Sequence, residues 1–358
     1  MSNRSGAPRL FRHIDTLLDS DEPFATATII DKTGSGPRDR GARMVITESG
    51  KTFGSVGGGL LESAILRMSG EVISSRRAAL VRFSLDGEIV DASAMACGGL
   101  MEALIEPLDR TMAGPRAVFG KIAERLALRK RSFIVTAIDD AGASGVQTRT
   151  ALLGEEGFIA GDPEALKDIE GNVVETEAPL TVPERGGSLR RYIEPVKPAD
   201  TVYLFGAGHI CRSLEPLCRL VGFETCVIDD RADFACPALF PGADRIILAA
   251  SYDGAFDDIV IDGNAALVIV TRGHAFDAAV LYRALRSEAG YIGMIGSARK
   301  REVCYAEMRR RGLGDGDIAR VRCPVGLPIG AETPEEIAVS IVAELVSTRS
   351  ARETHAAE

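Results

Sequence analysis

The chain has 358 residues, a length that favours two domains with buried cores, and its 46% of hydrophobic residues is typical of a globular protein. A net charge of −9, the absence of tryptophan and an aromatic content of 5% supply neither the basic surface nor the stacking groups of a nucleic-acid-binding protein. No apolar stretch approaches the ~20 residues of a membrane span, and the first ten residues lack a signal-peptide core. We therefore expect a cytoplasmic protein with no nucleic-acid or membrane partner.

The seven cysteines contain no C-x-x-C pair, so they indicate neither a disulfide framework nor a zinc site. Reduced thiols in a cytosolic protein fit this pattern, and we predict no metal site. Six of them lie in or beside predicted elements of the second half, where a free cysteine usually behaves as a small core residue. These six are Cys211, Cys218, Cys226, Cys236, Cys304 and Cys323.

The first half of the chain predicts a mixed α+β domain over residues 1–185. The predicted helices cover residues 10–18, 60–74 and 118–128, and the predicted strands cover residues 24–30, 44–47, 51–56, 132–138 and 150–153. Prolines and glycines break the periodicity between residues 182 and 200, so we predict a linker over 186–199.

Beyond the linker, strands and helices alternate, which predicts a doubly wound, Rossmann-like parallel sheet over residues 200–350. The predicted strands cover 202–205, 225–228, 245–249, 266–270 and 291–295, and helices are predicted over 277–289 and 298–311. Thr333, Pro334 and Glu336 form the capping pattern of a last helix. Residues 351–358 are predicted to be a disordered tail.

The turn after the first of these strands has a dinucleotide-type glycine pattern. Gly206 allows a tight turn, and Gly208 lets backbone approach a phosphate at the start of a helix. Asp229 follows the second strand at the usual position of a ribose-binding acid. Cys211 holds the third glycine position. The alternative is a doubly wound domain whose nucleotide site is vestigial.

Two loops of the first half suit anions. Arg38 and Arg43 lie in a loop with several glycines, where guanidinium groups and backbone N–H groups can both contact a phosphate. Gly57, Gly58 and Gly59 precede a predicted helix start, a second place that favours an anion. The two loops together suggest a phosphate-bearing ligand. The alternative is a basic turn and a glycine bend around a hairpin.

Glu62 and Cys97 have a structural and a functional interpretation each. Glu62 lies in the first turn of a helix, where the helix dipole favours a carboxylate, but it can also accept two hydrogen bonds from the amidine-like edge of a pterin. Cys97 is followed by two glycines that leave its sulfur open, so it can ligate a soft metal or carry a transferable sulfur. Otherwise it is a buried free cysteine.

Three polar residues are predicted at the carboxyl ends of strands, where open α/β sheets bind ligands. His209 lies within the glycine turn, His274 follows the fourth strand, and Ser297 follows the fifth. The histidines are candidates for ligand contact or proton transfer, and Ser297 for phosphate contact. A solvated helix start is the alternative for Ser297.

Ordered sequence blocks along nearly the whole chain resemble those of the XdhC/CoxI family. In the first half they are Gly34 to Met44, Gly54 to Gly59 with Glu62, and Cys97 to Gly99 leading to Glu106-Pro107. In the second half they are Phe205 to His209, Ile228 to Arg231, Thr271 to His274, Tyr291 to Ser297, Gly326 to Ala331 and Thr333 to Glu336.

The resemblance implies a molybdenum-cofactor maturation factor for a xanthine dehydrogenase-type hydroxylase. Such a factor binds the molybdenum cofactor, as molybdopterin or its dinucleotide form, helps a cysteine desulfurase add its terminal sulfur, and delivers it. We also expect a homodimer. Many family members have cysteine after the triple glycine, where this chain has Leu60, so Cys97 becomes the main thiol candidate.

We expect a cofactor-binding chaperone rather than a catalyst, with a pterin-phosphate ligand held between the domains, where clefts commonly form. The alternative is an NAD(P)-dependent oxidoreductase that uses His209 or His274 as acid or base. The first half discriminates between the two, because its arginine and triple-glycine loops are unnecessary for hydride transfer.

Overall fold

The computed structural model describes residues 7–34, 38–84, 100–140, 145–167, 169, 173–183 and 189–355, with side chains as far as residue 352. The chain forms two compact units, Met1–Pro198 and Ala199–Glu358. Across the described residues, none of the helices combines the length and the apolar composition that crossing a membrane requires.

The described residues of the first unit form three α-helices and two antiparallel five-stranded sheets. Its elements are α1 (Ala7–Leu18), β1 (Phe24–Lys32), β2 (Arg43–Thr47), β3 (Thr52–Gly54), α2 (Gly59–Ser75), β4 (Ala79–Ser84), β5 (Leu100–Leu108), α3 (Ala113–Ala127), β6 (Ser132–Asp139), β7 (Gln147–Gly154), β8 (Gly157–Gly161), β9 (Leu180–Pro183) and β10 (Leu189–Val196). The strand orders are β3-β2-β1-β5-β4 and β8-β7-β6-β10-β9.

Strand β1 is buried on both faces. Successive side chains point to opposite sides of a sheet, so neighbouring residues of β1 pack in two different clusters. Ala25, Ala27 and Ile29 pack in the cluster that includes Ile65 of α2. Phe24 packs on the other side, in the cluster formed with α1, α3 and the second sheet. The first sheet therefore lies between α2 and the second sheet.

The second unit is a six-stranded parallel sheet in the order β13-β12-β11-β14-β15-β16. Its elements are β11 (Thr201–Phe205), α4 (His209–Leu220), β12 (Glu224–Asp229), β13 (Arg245–Leu248), β14 (Ala265–Ile269), α5 (His274–Leu285), β15 (Tyr291–Met294), α6 (Ala298–Arg310), α7 (Asp315–Ile318), β16 (Val321–Arg322) and α8 (Pro334–His355).

Both faces of this sheet are covered by helices. Phe205 packs on the side of α5 and α6, and Leu204 packs on the side of α4 and α8. The order and the covering confirm the predicted Rossmann-like domain after an α+β domain. The switch point lies between β11 and β14, the strands on either side of the reversal in chain order.

Two boundaries predicted from the sequence are wrong. Residues 186–199 are not a linker throughout, because Leu189–Val196 forms β10 and pairs with β6 and β9. Residues 351–355 are not part of a disordered tail, because α8 continues to His355. The start of α8 is as predicted: the Glu336 carboxylate accepts from the Thr333 backbone N–H at 3.1 Å, and the Thr333 hydroxyl accepts from the Glu336 N–H at 3.2 Å.

Candidate functional site

The glycine turn of the second unit joins β11 to α4. Gly206 has a φ of 109°, and its N–H donates to the Ile228 carbonyl at 2.8 Å. A Cβ there would lie 2.5 Å from the carbonyl oxygen of Val270, so the turn requires glycine. Gly208 caps α4 with a φ of −77°, and a Cβ there would meet no described heavy atom within 4 Å. The space beside Gly208, at the start of α4, is therefore open, as a phosphate site requires.

Asp229 braces this turn from the end of β12. Its side chain is fully buried. Its Oδ2 accepts from the Ala207 N–H at 2.8 Å and from Arg231 Nη2 at 2.9 Å, and its Oδ1 accepts from the N–H and Nε of Arg231. Burial opposes ionisation, but these hydrogen bonds outweigh it and lower the pKa of Asp229 to about 2. The predicted ribose-binding acid therefore has both oxygens engaged by its own chain.

The neighbouring Asp230 joins two loops at the same edge of the sheet. Arg272, in the loop after β14, donates from Nη2 to Asp230 Oδ2 at 2.7 Å, and its Nη1 pairs with Oδ1. Strands β12 and β14 flank β11 on either side. The Arg272–Asp230 pair thus connects the loops that border the glycine turn.

The three other residues predicted at this edge lie at the first turns of helices. His209 and His274 are the first residues of α4 and α5, and both are exposed. Ser297 caps α6, and its hydroxyl accepts from the Lys300 N–H at 3.3 Å. Their placement at the ends of β11, β14 and β15 confirms the predicted positions, and their roles stay predictions.

A buried ion pair at this edge escaped the sequence analysis. Asp277, in the first turn of α5, is fully buried and pairs with Lys300 of α6. The Thr271 hydroxyl donates to Asp277 Oδ1 at 2.6 Å. The available signal was an acidic residue at the start of the predicted helix that follows the fourth strand. Acidic residues at this position are usually explained by a favourable interaction with the helix dipole alone.

The triple-glycine loop of the first unit contacts a carboxylate of its own chain. Gly57, Gly58 and Gly59 all have positive φ. Glu62 accepts from the Ser55 hydroxyl at 2.6 Å and from the Val56 N–H at 3.1 Å. Burial raises the pKa of Glu62, but hydrogen bonds from this hydroxyl and from the N–H groups of residues 56–58 lower it by more, so the pKa lies below its usual value. The anion at this loop is therefore Glu62, which favours its structural interpretation over pterin recognition.

The two predicted phosphate-binding arginines lie in different environments. Arg38 is partly exposed. Arg43 is not in the loop: it begins β2, and only 6% of its surface is exposed. It pairs with Glu194 of the second sheet at 2.7 Å and donates from Nε to the Thr28 hydroxyl at 2.7 Å. The prediction that Arg43 lies in the loop is thus wrong.

Cys97 lies outside the described residues. Among the other cysteines Cys211, Cys218, Cys226 and Cys304 are buried, as expected for core residues, whereas Cys236 and Cys323 are partly exposed. Burial raises the pKa of Cys226 to about 12 and that of Cys323 to about 11. The described ranges contain no group of three or more His, Cys, Asp or Glu side chains that could hold a metal ion.

Both units resemble known families and proteins. The family model described as the XdhC Rossmann domain matches residues 202–345, and the one described as the XdhC and CoxI family matches residues 17–84. The chain is 28% identical over 339 residues to a probable xanthine dehydrogenase subunit of Bacillus subtilis, a match that covers 94% of this chain and 96% of that protein.

Two further likenesses extend over nearly the whole chain. It is 21% identical over 340 residues to the molybdenum cofactor insertion chaperone PaoD of Escherichia coli, covering 95% of this chain and 88% of that protein. A crystal structure described as a xanthine dehydrogenase from Bacillus halodurans matches with a TM-score of 0.74 at 27% identity, covering 96% of each chain. The two family models together match more than half of the residues. The chain belongs to the XdhC and CoxI family.

Proposed function

We propose that this protein is an accessory factor that binds the molybdenum cofactor and helps to insert it into a xanthine dehydrogenase-type hydroxylase. The names of the B. subtilis and E. coli relatives, which match along nearly the whole chain, support an accessory role. The observation that carries the binding role is the open space beside Gly208, at the start of α4.

The chemistry at this edge of the second unit fits the phosphate part of the cofactor. The α4 N-terminus offers backbone N–H groups and a positive dipole end, which together suit a phosphate or pyrophosphate. His209 and Ser297 supply exposed polar groups at the starts of α4 and α6, which follow β11 and β15. When bound, the cofactor would supply molybdenum redox chemistry to the hydroxylase, and this chain's residues would hold and orient it for transfer.

Sulfuration belongs to the same proposal and rests on Cys97. Its two following glycines are expected to leave the sulfur accessible, and four of the remaining cysteines are buried. The cysteine desulfurase would be the sulfur donor. A homodimer would present two such thiols to it.

A nicotinamide dinucleotide is the weaker candidate for the same turn. Dinucleotide-binding folds present a carboxylate at the end of the second strand to the ribose. Here both oxygens of Asp229 accept from Ala207 and Arg231, and Asp230 pairs with Arg272. Neither acid offers the ribose an unengaged carboxylate in this arrangement.

Reconstitution of a partner enzyme tests the proposal. A xanthine dehydrogenase-type hydroxylase purified without cofactor is mixed with molybdenum cofactor, with and without this protein, and its activity is followed over time. We expect faster and more complete activation with the wild-type protein. Activation that is the same without it, or with an equal concentration of albumin, contradicts an accessory role.

A further inference from the structure

The first unit contains a cavity of about 380 Å³. Residues of β1, β2 and β5 in the first sheet line it together with residues of β6 and β7 in the second and the first turn of α3. Its volume lies in the range of small-molecule sites. None of the residues proposed above to hold the cofactor at the second unit contributes to it.

A guanidinium group with an unused donor lies in the wall of this cavity. Arg43 is held from two sides, because its Nε donates to Thr28 and its Nη2 pairs with Glu194. Its Nη1 is buried and has no hydrogen-bond partner among the described residues. A buried donor without a partner costs free energy, so this position favours a ligand that accepts a hydrogen bond.

An acceptor lies next to this donor. Glu106 of β5 is directly opposite Thr26 of β1, and both line the cavity. Glu106 is half-buried. Burial raises the pKa of Glu106, and the Thr148 hydroxyl and Arg43, which lower it, offset this rise only in part. A ligand that donates two hydrogen bonds would stabilise the ionised carboxylate of Glu106.

The rest of the lining divides into apolar walls and a basic mouth. Leu108, Phe119 and Ile134 form apolar surface suited to a flat ring. Arg77 and Arg149 are exposed. The ion pair of Arg149 with Asp162 is long, 3.8 Å, and such exposed pairs contribute little, so the arginine can turn to another anion.

We propose that this cavity binds a fused-ring heterocycle that carries an acidic substituent. The amidine-like edge of the heterocycle would donate to Glu106, a ring carbonyl would accept from Arg43 Nη1, and the acidic substituent would contact Arg77 and Arg149. Pterins and guanine share this edge. The pterin alternative rests on the proposed function, and the guanine nucleotide alternative does not.

Equilibrium dialysis of the full chain with three probes tests the site. The probes are 6-carboxypterin, guanosine 5′-monophosphate and inorganic phosphate. We expect saturable binding of one or both heterocycles, at one per chain. Binding of 6-carboxypterin alone identifies a pterin site, and binding of the nucleotide alone identifies a guanine site. Binding of phosphate alone, or of none of the probes, overturns the proposal.

Variants locate the binding in the cavity. Glu106→Gln replaces one of the two carboxylate oxygens that would accept from the ligand, without changing the size of the side chain. It should weaken binding about ten-fold. Arg149→Glu changes an exposed side chain at the mouth, so the fold should persist, and binding should weaken about three-fold or more. Arg67→Glu makes the same change of charge on the exposed face of α2 and should leave binding unchanged. Equal weakening by Arg67→Glu and Arg149→Glu overturns the location.

The failure of this site is distinguishable from the failure of the proposed function. If the wild-type protein purifies with pterin and Glu106→Gln and Arg149→Glu retain the same amount, the cavity assignment is wrong and the proposed function stands. If 6-carboxypterin binds in the cavity but the protein does not activate a hydroxylase, the site stands and the accessory role fails.

Discussion

Glu62 illustrates how one carboxylate can satisfy a glycine loop that otherwise suits a bound anion. The backbone N–H groups of residues 56–58 converge on one carboxylate, and converging N–H groups are a geometry that proteins often use for phosphate. In this chain the carboxylate is that of Glu62, in the first turn of α2. The loop and the helix that it begins are therefore stabilised without a ligand.

Arg43 is expected to stabilise the first unit rather than to bind phosphate on its surface. Arg43→Ala would leave the buried Glu194 carboxylate without its cation, and removing one partner of a buried pair costs about 3–5 kcal/mol. We expect the free energy of unfolding, measured in urea, to fall by about that amount. Arg38→Ala, at a partly exposed position, serves as the control and should change it little. Equal stabilities for the wild type and Arg43→Ala would contradict this role.

Cys97 is predicted to be the cysteine whose loss matters for activation of a partner hydroxylase. Cys97→Ala removes only a sulfur beside two glycines, so the stability should change by about 1 kcal/mol or less. Hydroxylase activation and its cyanide-labile sulfur should nevertheless fall together. Cys218→Ala, a change in the buried core of the second unit, is the packing control. Full activation by the Cys97 variant would show that this protein carries cofactor without thiol chemistry.

The two glycines of the turn between β11 and α4 differ in whether the fold has room for a side chain. Gly208→Val would place a side chain in open space at the helix start, so the fold should persist, whereas phosphate approach to the N–H groups should be blocked. We expect cofactor affinity, measured by titration calorimetry of the full chain, to fall at least ten-fold with unchanged thermal unfolding. Gly206→Val should instead lower the unfolding temperature, because its Cβ would collide with Val270. Undiminished affinity in Gly208→Val excludes a phosphate site there.

The link between β12 and this turn should depend on pH through Asp229. The pKa of Asp229 is depressed from 3.8 to about 2 in the folded protein, so the ionised form contributes roughly 2 kcal/mol of stability. This contribution is present above about pH 4 and is lost as the pH falls toward 2. The difference in unfolding free energy between the wild type and Asp229→Asn should narrow by about 1 kcal/mol from pH 5 to pH 3. Asp233→Asn, which removes an exposed carboxylate, is the control and should show no such change in the difference. A difference for Asp229→Asn that stays constant with pH would refute the stabilising role of Asp229.

Five of the six strands of the second unit were predictable because a local hydrophobic run specifies each, whereas the two-residue β16 was not predicted. Hydrophobic runs set its strands, and Thr333 and Glu336 set the start of α8 through contacts three residues apart. Strand β10 was missed because Pro195 lies within it. The register explains the tolerance: β9 pairs only with residues 190–193, so Pro195 faces β6 alone and its missing N–H leaves no gap in the β9 pairing.

In the molecule as a whole, the long-range ionic contacts were beyond the reach of sequence patterns. Arg43 and Glu194 are 151 positions apart in the sequence, and only the packing of the first sheet against the second brings them together. Asp277 and Lys300 likewise belong to different helices of the second unit, and only the fold brings them together. The sequence placed Arg43 in a loop because glycines surround it, whereas strand pairing of β1 with β2 buries it. Such residues are identifiable from the sequence only as charged groups whose partners are unknown.

Each of the two units offers its own candidate place for a ligand. The second unit offers an accessible helix start at a Rossmann switch point, and the first contains the cavity with Arg43 and Glu106. Each unit has its own core, so changes in one should leave the other folded. Binding defects from variants of each unit can therefore be measured separately.

The pterin content of the purified protein shows directly whether this protein carries the molybdenum cofactor. The full chain is purified from cells that can make molybdenum cofactor and from cells that cannot, and bound pterin is oxidised and measured by fluorescence. We expect oxidised pterin in the first sample, in an amount that approaches one per chain, and none in the second. Pterin in neither sample, from protein shown to be folded, would contradict a role as cofactor carrier.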